Sequence, residues 1–247
     1  MRRETANVLL ILLGGALLKL AYTGDYLRYV KPVHQPWVIG GGTVMLLLGA
    51  LAIWRDVRSG SSGQEGARHG HSHGHSHGGT SAWLLLVPVF AVLFVAPPAL
   101  GADSVARSAG GAARVQANAA ETAAFSPLPA GRAVPMPLTE FQARAGWDED
   151  GTLEDRTVAL TGFIAHRGDE SYLARMVIGC CAADGYPVTV RLGGAGAEQA
   201  SRLSDDEWVT VTGGLVPGSA TEATEFVPEL AVETVRVIDP PSDPYEY

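Results

Sequence analysis

The hydrophobic rhythm of the chain changes near residue 100. Before it, apolar residues come in long unbroken runs; after residue 137 they alternate with polar ones at a period close to two. Three runs stand out. Residues 6–22 carry a single charge, Lys19, residues 37–54 carry none, and residues 81–100 are uncharged with Pro88 inside and Pro97-Pro98 near the end. A helix needs about 20 apolar residues, within a range of about 17–25, to cross about 30 Å of hydrocarbon. Each run meets that length, so the pattern predicts three transmembrane helices, the first with Lys19 snorkelling outward. Trp37, Trp54 and Trp83 sit at run ends, where indoles favour the headgroup layer. Arg2 and Arg3 would also suit a signal sequence, but Tyr22-Thr23-Gly24-Asp25-Tyr26 is a poor cleavage site.

The rest of the chain reads differently. Residues 101–137 are rich in Ala and Gly and then in Pro, without an amphipathic repeat, and predict a linker. Residues 138–239 predict a soluble β-domain, followed by a tail at 240–247. Within that domain, residues 138–145 predict a short helix with Thr139 as its cap. Alternating, β-branched stretches at 157–166, 172–178, 187–192, 208–213 and 230–238 predict five strands. One helical turn is expected within 196–204. Five short strands with a helix after the third predict a small OB-like barrel. The fold class is therefore membrane α with a C-terminal all-β domain.

Charge sharpens the division. Residues 1–100 carry 8 Lys/Arg and 4 Asp/Glu, while residues 101–247 carry 10 and 22, within a chain whose net charge is −8. No basic stripe offsets that acidity, which argues against a nucleic-acid partner even for an OB-like domain. With three spans, Arg2, Arg3, Arg55, Arg58 and Arg68 share one side of the bilayer, and Arg28, Lys31, Arg107 and Arg114 share the other. The arginines adjoining the spans place the N-terminus in the cytoplasm and the β-domain outside the plasma membrane. Gly14, Gly15, Ala16, Gly40, Gly41, Gly42, Gly49 and Ala50 let helix backbones approach closely, either within the chain or against another membrane protein. No Asp, Glu, His or Arg lies deep in a run, so the chain alone offers no ion path.

Two features carry candidate chemistry. In the loop at 59–80, His69, His71, His73, His75 and His77 fall at every second position among Gly and Ser. Neutral imidazoles suit zinc, nickel or copper, and the flexible spacing points to capture of a transition metal with little selectivity; a low-complexity insertion without a role is the alternative. The second feature is the adjacent pair Cys180 and Cys181, the chain's only cysteines. In a regular strand they would face opposite ways, but Gly179 suggests a bulge or strand end where both sulfurs turn the same way. There they could hold zinc or copper(I) with Asp184 or His166. A structural role and an intermolecular disulfide stay open, since the spacing is neither a zinc signature nor Cys-x-x-Cys.

Laid out in this way, the chain resembles the YcgQ-type family of bacterial membrane proteins described as permease subunits. The resemblance rests on Tyr29, Val30, Lys31 and Pro32 after the first run, on residues 158–162, and on Arg175, Ile178, Cys180, Cys181, Ala182, Ala183 and Asp184. Pro187, Val188, Trp208, Val209, Val211 and Gly213 also match. It implies an integral membrane protein with an extracytoplasmic β-domain that acts with a multi-span permease, and it supplies no catalytic residue. The expected function is therefore an accessory permease subunit linked to transition-metal transport, with zinc or another divalent transition metal as the ion these donors suit. The alternative is a stand-alone membrane-anchored metal-binding or metal-sensing protein. An enzyme is not expected, because no nucleophile comes with a positioned base.

Overall fold

The structure, a computed structural model, describes residues 3–60, 87, 90–91, 94–95, 98–108 and 125–247. The chain divides into two compact units: Met1–Leu27 with Pro32–Pro97, and Arg28–Lys31 with Pro98–Tyr247.

The first unit contains helices α1 (Arg3–Thr23) and α2 (Gln35–Gly60). At 1.5 Å per residue they are about 31 and 39 Å long, enough to cross about 30 Å of hydrocarbon. Both are long and apolar enough for that, with mean hydropathies of 1.7 over Ala6–Thr23 and 1.9 over Pro32–Arg58. Pro36 falls in the first turn of α2, where its missing N–H is not needed. Gly24, at φ +86°, ends α1, and the Gln35 side chain donates to the Ala21 carbonyl at 3.2 Å. The helices pack through their glycines. A Cβ on Gly14 would lie 2.8 Å from the Gly42 carbonyl oxygen, and one on Gly49 would lie 2.7 Å from Ile11. The outward residues of α2 include Val44, Leu47, Leu48 and Leu51, an apolar face that suits lipid. The expected third span, 81–100, and the histidine loop, 59–80, lie largely outside the described residues.

The second unit is a mixed sheet of seven strands: β1 (Val134–Pro135), β2 (Thr157–Arg167), β3 (Glu170–Val177), β4 (Tyr186–Gly193), β5 (Trp208–Leu215), β6 (Glu229–Val237) and β7 (Tyr245–Glu246). β2 pairs antiparallel with β5 from Thr157↔Gly214 to Phe163↔Trp208, and with β3 from Phe163↔Ala174 to Arg167↔Glu170. β3 continues antiparallel to β4, β4 is parallel to β6 at Arg191↔Glu229, and β6 returns antiparallel to β5. The pairings thus form a ring, β2–β5–β6–β4–β3 and back to β2, with β1 and β7 added in parallel on β2 and β3. Gly162 stands where β2 meets β3: a Cβ there would come within 2.5 Å of the Ala174 carbonyl oxygen.

Alternation builds the core. Val158, Leu160 and Ile164 of β2 join Leu173, Val190, Val211 and Leu230 in one cluster, closed by Leu138 and Phe141 of helix α4 (Leu138–Trp147). The odd positions Phe163 and Ala165 lie in a second cluster with Ala174, Met176, Ile178, Trp208 and Tyr245. Helix α3 (Ala102–Arg107) covers that face through Ala102 and Val105. It is tied down by the Ala102 N–H to Asp206 at 2.6 Å and by Arg167 to the Val105 carbonyl at 3.0 Å. Part of the expected linker at 101–137 therefore packs on the sheet, whereas 109–124 lie outside the described residues. The expected strands agree with β2 to β6 within two residues, and the helical turn is α5 (Ala197–Ala200).

The tail is part of the sheet unit. Glu246 accepts from the N–H groups of Leu138 and Thr139 at 2.9 and 3.0 Å and from the Thr139 hydroxyl at 2.9 Å. Thr139 is thus not the cap expected for α4; a carboxylate from the far end of the chain meets the N–H groups and positive dipole end of the helix. Arg175 lies 4.9 Å over the Trp208 ring and donates to the Asp243 and Tyr245 carbonyls. Burial lowers the pKa of its guanidinium, against the opposing pull of Glu246, Asp243 and Tyr247.

Two expected outcomes follow from this packing. Gly42→Leu destabilises the helix pair by about 1–3 kcal/mol, as for an overpacked contact, and so lowers the thermal midpoint of the detergent-solubilised chain. Gly41→Leu, where a Cβ meets nothing within 4 Å, does not; equal effects would contradict the helix contact. Glu246→Ala destabilises the sheet unit by about 1–2 kcal/mol, read by denaturant unfolding monitored through tryptophan fluorescence.

Candidate metal centre

β3 makes its last strand contacts at Val177, and the Ile178 N–H still donates to the Glu246 carbonyl at 3.1 Å. The next residues turn away from the sheet, and a short 3-10 turn at Ala182–Asp184 leads into β4. Inside this loop the Asp184 carboxylate folds back on the backbone. One oxygen accepts the Gly179 N–H at 2.9 Å and the other accepts the Cys180 N–H at 2.7 Å. Gly179 is needed here, because a Cβ would lie 2.7 Å from the Asp184 oxygen.

The loop is also gripped from outside. The four residues Arg28–Lys31 belong to the sheet unit. Val30 forms an antiparallel bridge with Cys181, the Ala182 N–H donates to the Tyr29 carbonyl at 2.7 Å, and the Lys31 N–H donates to the Cys180 carbonyl at 3.4 Å. Tyr245 secures the same segment by donating its hydroxyl to the Arg28 carbonyl at 2.9 Å.

The consequence is that the adjacent cysteines do not face opposite ways. Both thiols are free, and the Cys180 thiol donates to the Cys181 sulfur at 3.6 Å. The two sulfurs and an Asp184 oxygen lie within 4.8 Å of one another. Cys180, Cys181 and Asp184 are thus brought together as the sequence suggested, in a group that could hold a metal ion. His166 is not in this group: its Nδ1 lies 2.8 Å from Asp205, beside the start of β3 rather than its end. His69, His71, His73, His75 and His77 lie outside the described residues.

The electrostatics of the loop favour cations. The hydrogen bond to Cys181, helped by Asp184, pushes the Cys180 thiol up to about 11. Desolvation acts to raise the Asp184 carboxyl, but the hydrogen bonds from Cys180, Gly179 and Cys181 outweigh it and hold the group below its usual range. A cation between the sulfurs would replace the thiol protons and meet a carboxylate that is already ionised. The sheet unit also has polar clefts of about 440 and 270 Å³ around Arg191 and Glu170, at the other end of β3. Arg191 pairs there with Glu229 and Glu170.

Two family models divide the chain, the DUF1980 N-terminal domain at residues 6–110 and the DUF1980 C-terminal domain at residues 148–247. The chain belongs to the DUF1980 family. In this DUF1980 chain the residues that grip the cysteine loop, Tyr29 to Lys31, fall in the N-terminal match, and the loop itself falls in the C-terminal one. No curated protein matches the chain significantly. Among solved structures, the asparaginyl-tRNA synthetase from Pyrococcus horikoshii complexed with asparaginyl-adenylate is similar at 21% identity over 37% of this chain. The match spans 22% of that protein at a TM-score of 0.23, too low to carry an argument about fold or function.

Sequence reasoning missed the backbone grip. A single bridge between residues about 150 positions apart leaves no periodic trace, although Tyr29 to Pro32 carried part of the family resemblance. The raised thiol pKa has a direct readout. Alkylation of Cys180 by iodoacetamide, followed by peptide mass spectrometry, should be about tenfold slower at pH 7.5 than for a free thiol, since the scarcer thiolate is partly offset by its higher nucleophilicity. The rate should keep rising toward a midpoint near pH 11. A midpoint at the ordinary thiol value would contradict the hydrogen-bonded pair.

Proposed function

We propose that this protein is a membrane-anchored accessory subunit of a permease, and that its sheet domain receives a transition-metal ion at Cys180 and Cys181 outside the plasma membrane. The observation that carries the metal reading is the pair of free sulfurs held 3.6 Å apart on one side of a doubly anchored loop. Soft thiolates select zinc or copper(I) over the hard cations. The permease setting is supported by the resemblance to the YcgQ-type family, and by two helices whose outward residues suit lipid.

The finer architecture belongs to the same reading. Three consecutive antiparallel strands, a parallel contact between the third and fifth, and a fourth lying between the fifth and first support the reading of an OB-like barrel. The short helix α5 between the third and fourth strands agrees with it. The run at 81–100 supplies a third span, which sets the sheet domain on the opposite side from the N-terminus, and the arginines beside the spans make that side extracytoplasmic. His69, His71, His73, His75 and His77 then form a cytoplasmic collecting loop for the same ion.

One observation favours the stand-alone metal-binding alternative: Gly14, Gly42 and Gly49 are already occupied by contact between α1 and α2, so these small residues are not free to receive a partner. Isolation in mild detergent, with metal analysis, separates the readings. An accessory subunit brings down a multi-span membrane protein and carries about one metal ion that depends on Cys180 and Cys181. Metal without a partner favours the stand-alone protein, and a chain that takes up no metal at the cysteines defeats both.

A further inference from the structure

We infer that the cysteine loop is a two-thiolate half-site for a tetrahedral, thiophilic divalent ion of the zinc type. The ion keeps open positions for an incoming donor, and Asp184 holds the loop rather than the ion. The inference deepens the metal reading above and rests on it.

The first support is the bite of the two sulfurs. Two zinc–sulfur bonds of about 2.3 Å at the tetrahedral angle set their sulfurs about 3.8 Å apart, whereas a linear arrangement of the same bonds needs about 4.6 Å. The sulfurs of Cys180 and Cys181 are 3.6 Å apart. The backbone beneath them is held, since Tyr29, Val30 and Lys31 fix residues 180–182 and Asp184 fixes residues 179–180, so the distance changes only by rotation of the two side chains. A tetrahedral ion fits the distance already present with a small adjustment, while a linear one requires the two side chains to rotate apart by about 1 Å.

The second support is the donor count. Among the described residues, the group around the sulfurs consists of Cys180, Cys181 and Asp184. Asp184 is already engaged: each of its oxygens accepts a backbone N–H, which draws on its donor strength and favours a role beside the ion over direct ligation. Two sulfurs fill half of a tetrahedral shell. Structural zinc sites are closed by four protein ligands, whereas sites that exchange or activate a ligand keep a position open. Cys180 is exposed, so that position can be reached from solvent. The inner cluster of the sheet unit is filled by buried aliphatic and aromatic side chains, so an ion at the loop would add nothing to the packing of that core. The site therefore suits passing an ion between donors, with the imidazole or thiolate of a carrier entering the open position before the cysteines let go.

Cobalt(II), as a spectroscopic stand-in for zinc, tests this on the full chain in detergent under reducing conditions. His69, His71, His73, His75 and His77 are replaced by alanine to silence the loop. The expected spectrum has tetrahedral d–d bands and sulfur-to-cobalt absorption of two-thiolate intensity, and Cys180→Ser or Cys181→Ser removes half of that absorption or all of it. Asp184→Asn, which keeps one acceptor oxygen, retains it. Added imidazole shifts the d–d bands while the sulfur absorption stays, and after chelation of the metal the sheet unit remains folded, its melting midpoint falling only by the increment that ligand binding supplies. A spectrum indifferent to imidazole, or an Asp184→Asn variant whose d–d bands report a lost oxygen donor, overturns the half-site. Binding of copper(I) without cobalt or zinc also overturns it, yet leaves the proposed function standing. Failure to bind any of the three ions at the cysteines defeats both.

Discussion

β2 has to serve two neighbours on opposite edges, and only Phe163 faces both of them. Its first half pairs with β5 and its second with β3, so the strand must coil between them, and Gly162 removes the side chain that would strike the Ala174 carbonyl. Much of the sheet unit follows from that change of partner. It lets the pairings return on themselves, which gives the even-numbered residues of β2 a closed interior. It also turns Phe163 and Ala165 outward, and an outward phenylalanine needs cover. α3, Trp208 and Tyr245 provide it, with Arg175 laid over the indole and holding the tail. The end of β3 is thereby fixed between β4 and β7, and the cysteine loop starts from a rigid base.

The elements legible beforehand are those whose residues repeat. Alternation in Val158, Leu160 and Ile164, or in Val209 and Val211, marks a half-buried strand without knowledge of its neighbours, and β2 to β6 appear where that pattern lies. β1 and β7 are two residues each, and one contains Pro135, so neither is long enough to show a period. α3 turns only Ala102 and Val105 inward, within a stretch whose composition reads as spacer. The cap of α4 illustrates the same limit. A local rule favours Thr139, but the donors are satisfied by Glu246, 107 residues away, which no window of sequence can pair with them. At the cysteines, adjacency and Gly179 were enough to suggest a shared direction for the sulfurs. Asp184 lies beside them as expected, and its hydrogen bonds to the Gly179 and Cys180 N–H groups are a feature of the folded loop that residue spacing does not encode.

The helical unit shows why small residues in an apolar helix have two meanings. In a bilayer, lipid would offer no less apolar a surface than another helix, so helices such as α1 and α2 would hold together there by close backbone approach rather than by hydrophobic drive. Gly14 and Gly42 meet one another, and Gly49 meets Ile11, while a Cβ on Gly15, Gly40 or Gly41 would touch nothing within 4 Å. Glycines with the same sequence signature thus fall into a used set and an open set, a distinction set by helix phase and not by composition.

The thiol chemistry bears on what the loop is suited to. Cysteines that attack substrates sit beside cations or helix N-termini that lower their pKa. Cys180 has the opposite surroundings, a second thiol and an ionised carboxylate, and its proton is held to about pH 11. Such a thiol stays largely protonated at neutral pH. A cation placed between the sulfurs would take the place of the thiol protons and would lie close to the charge of Asp184. Only an ion that bonds strongly to sulfur could displace those protons at neutral pH, so a cation held here would have to be a thiophilic one.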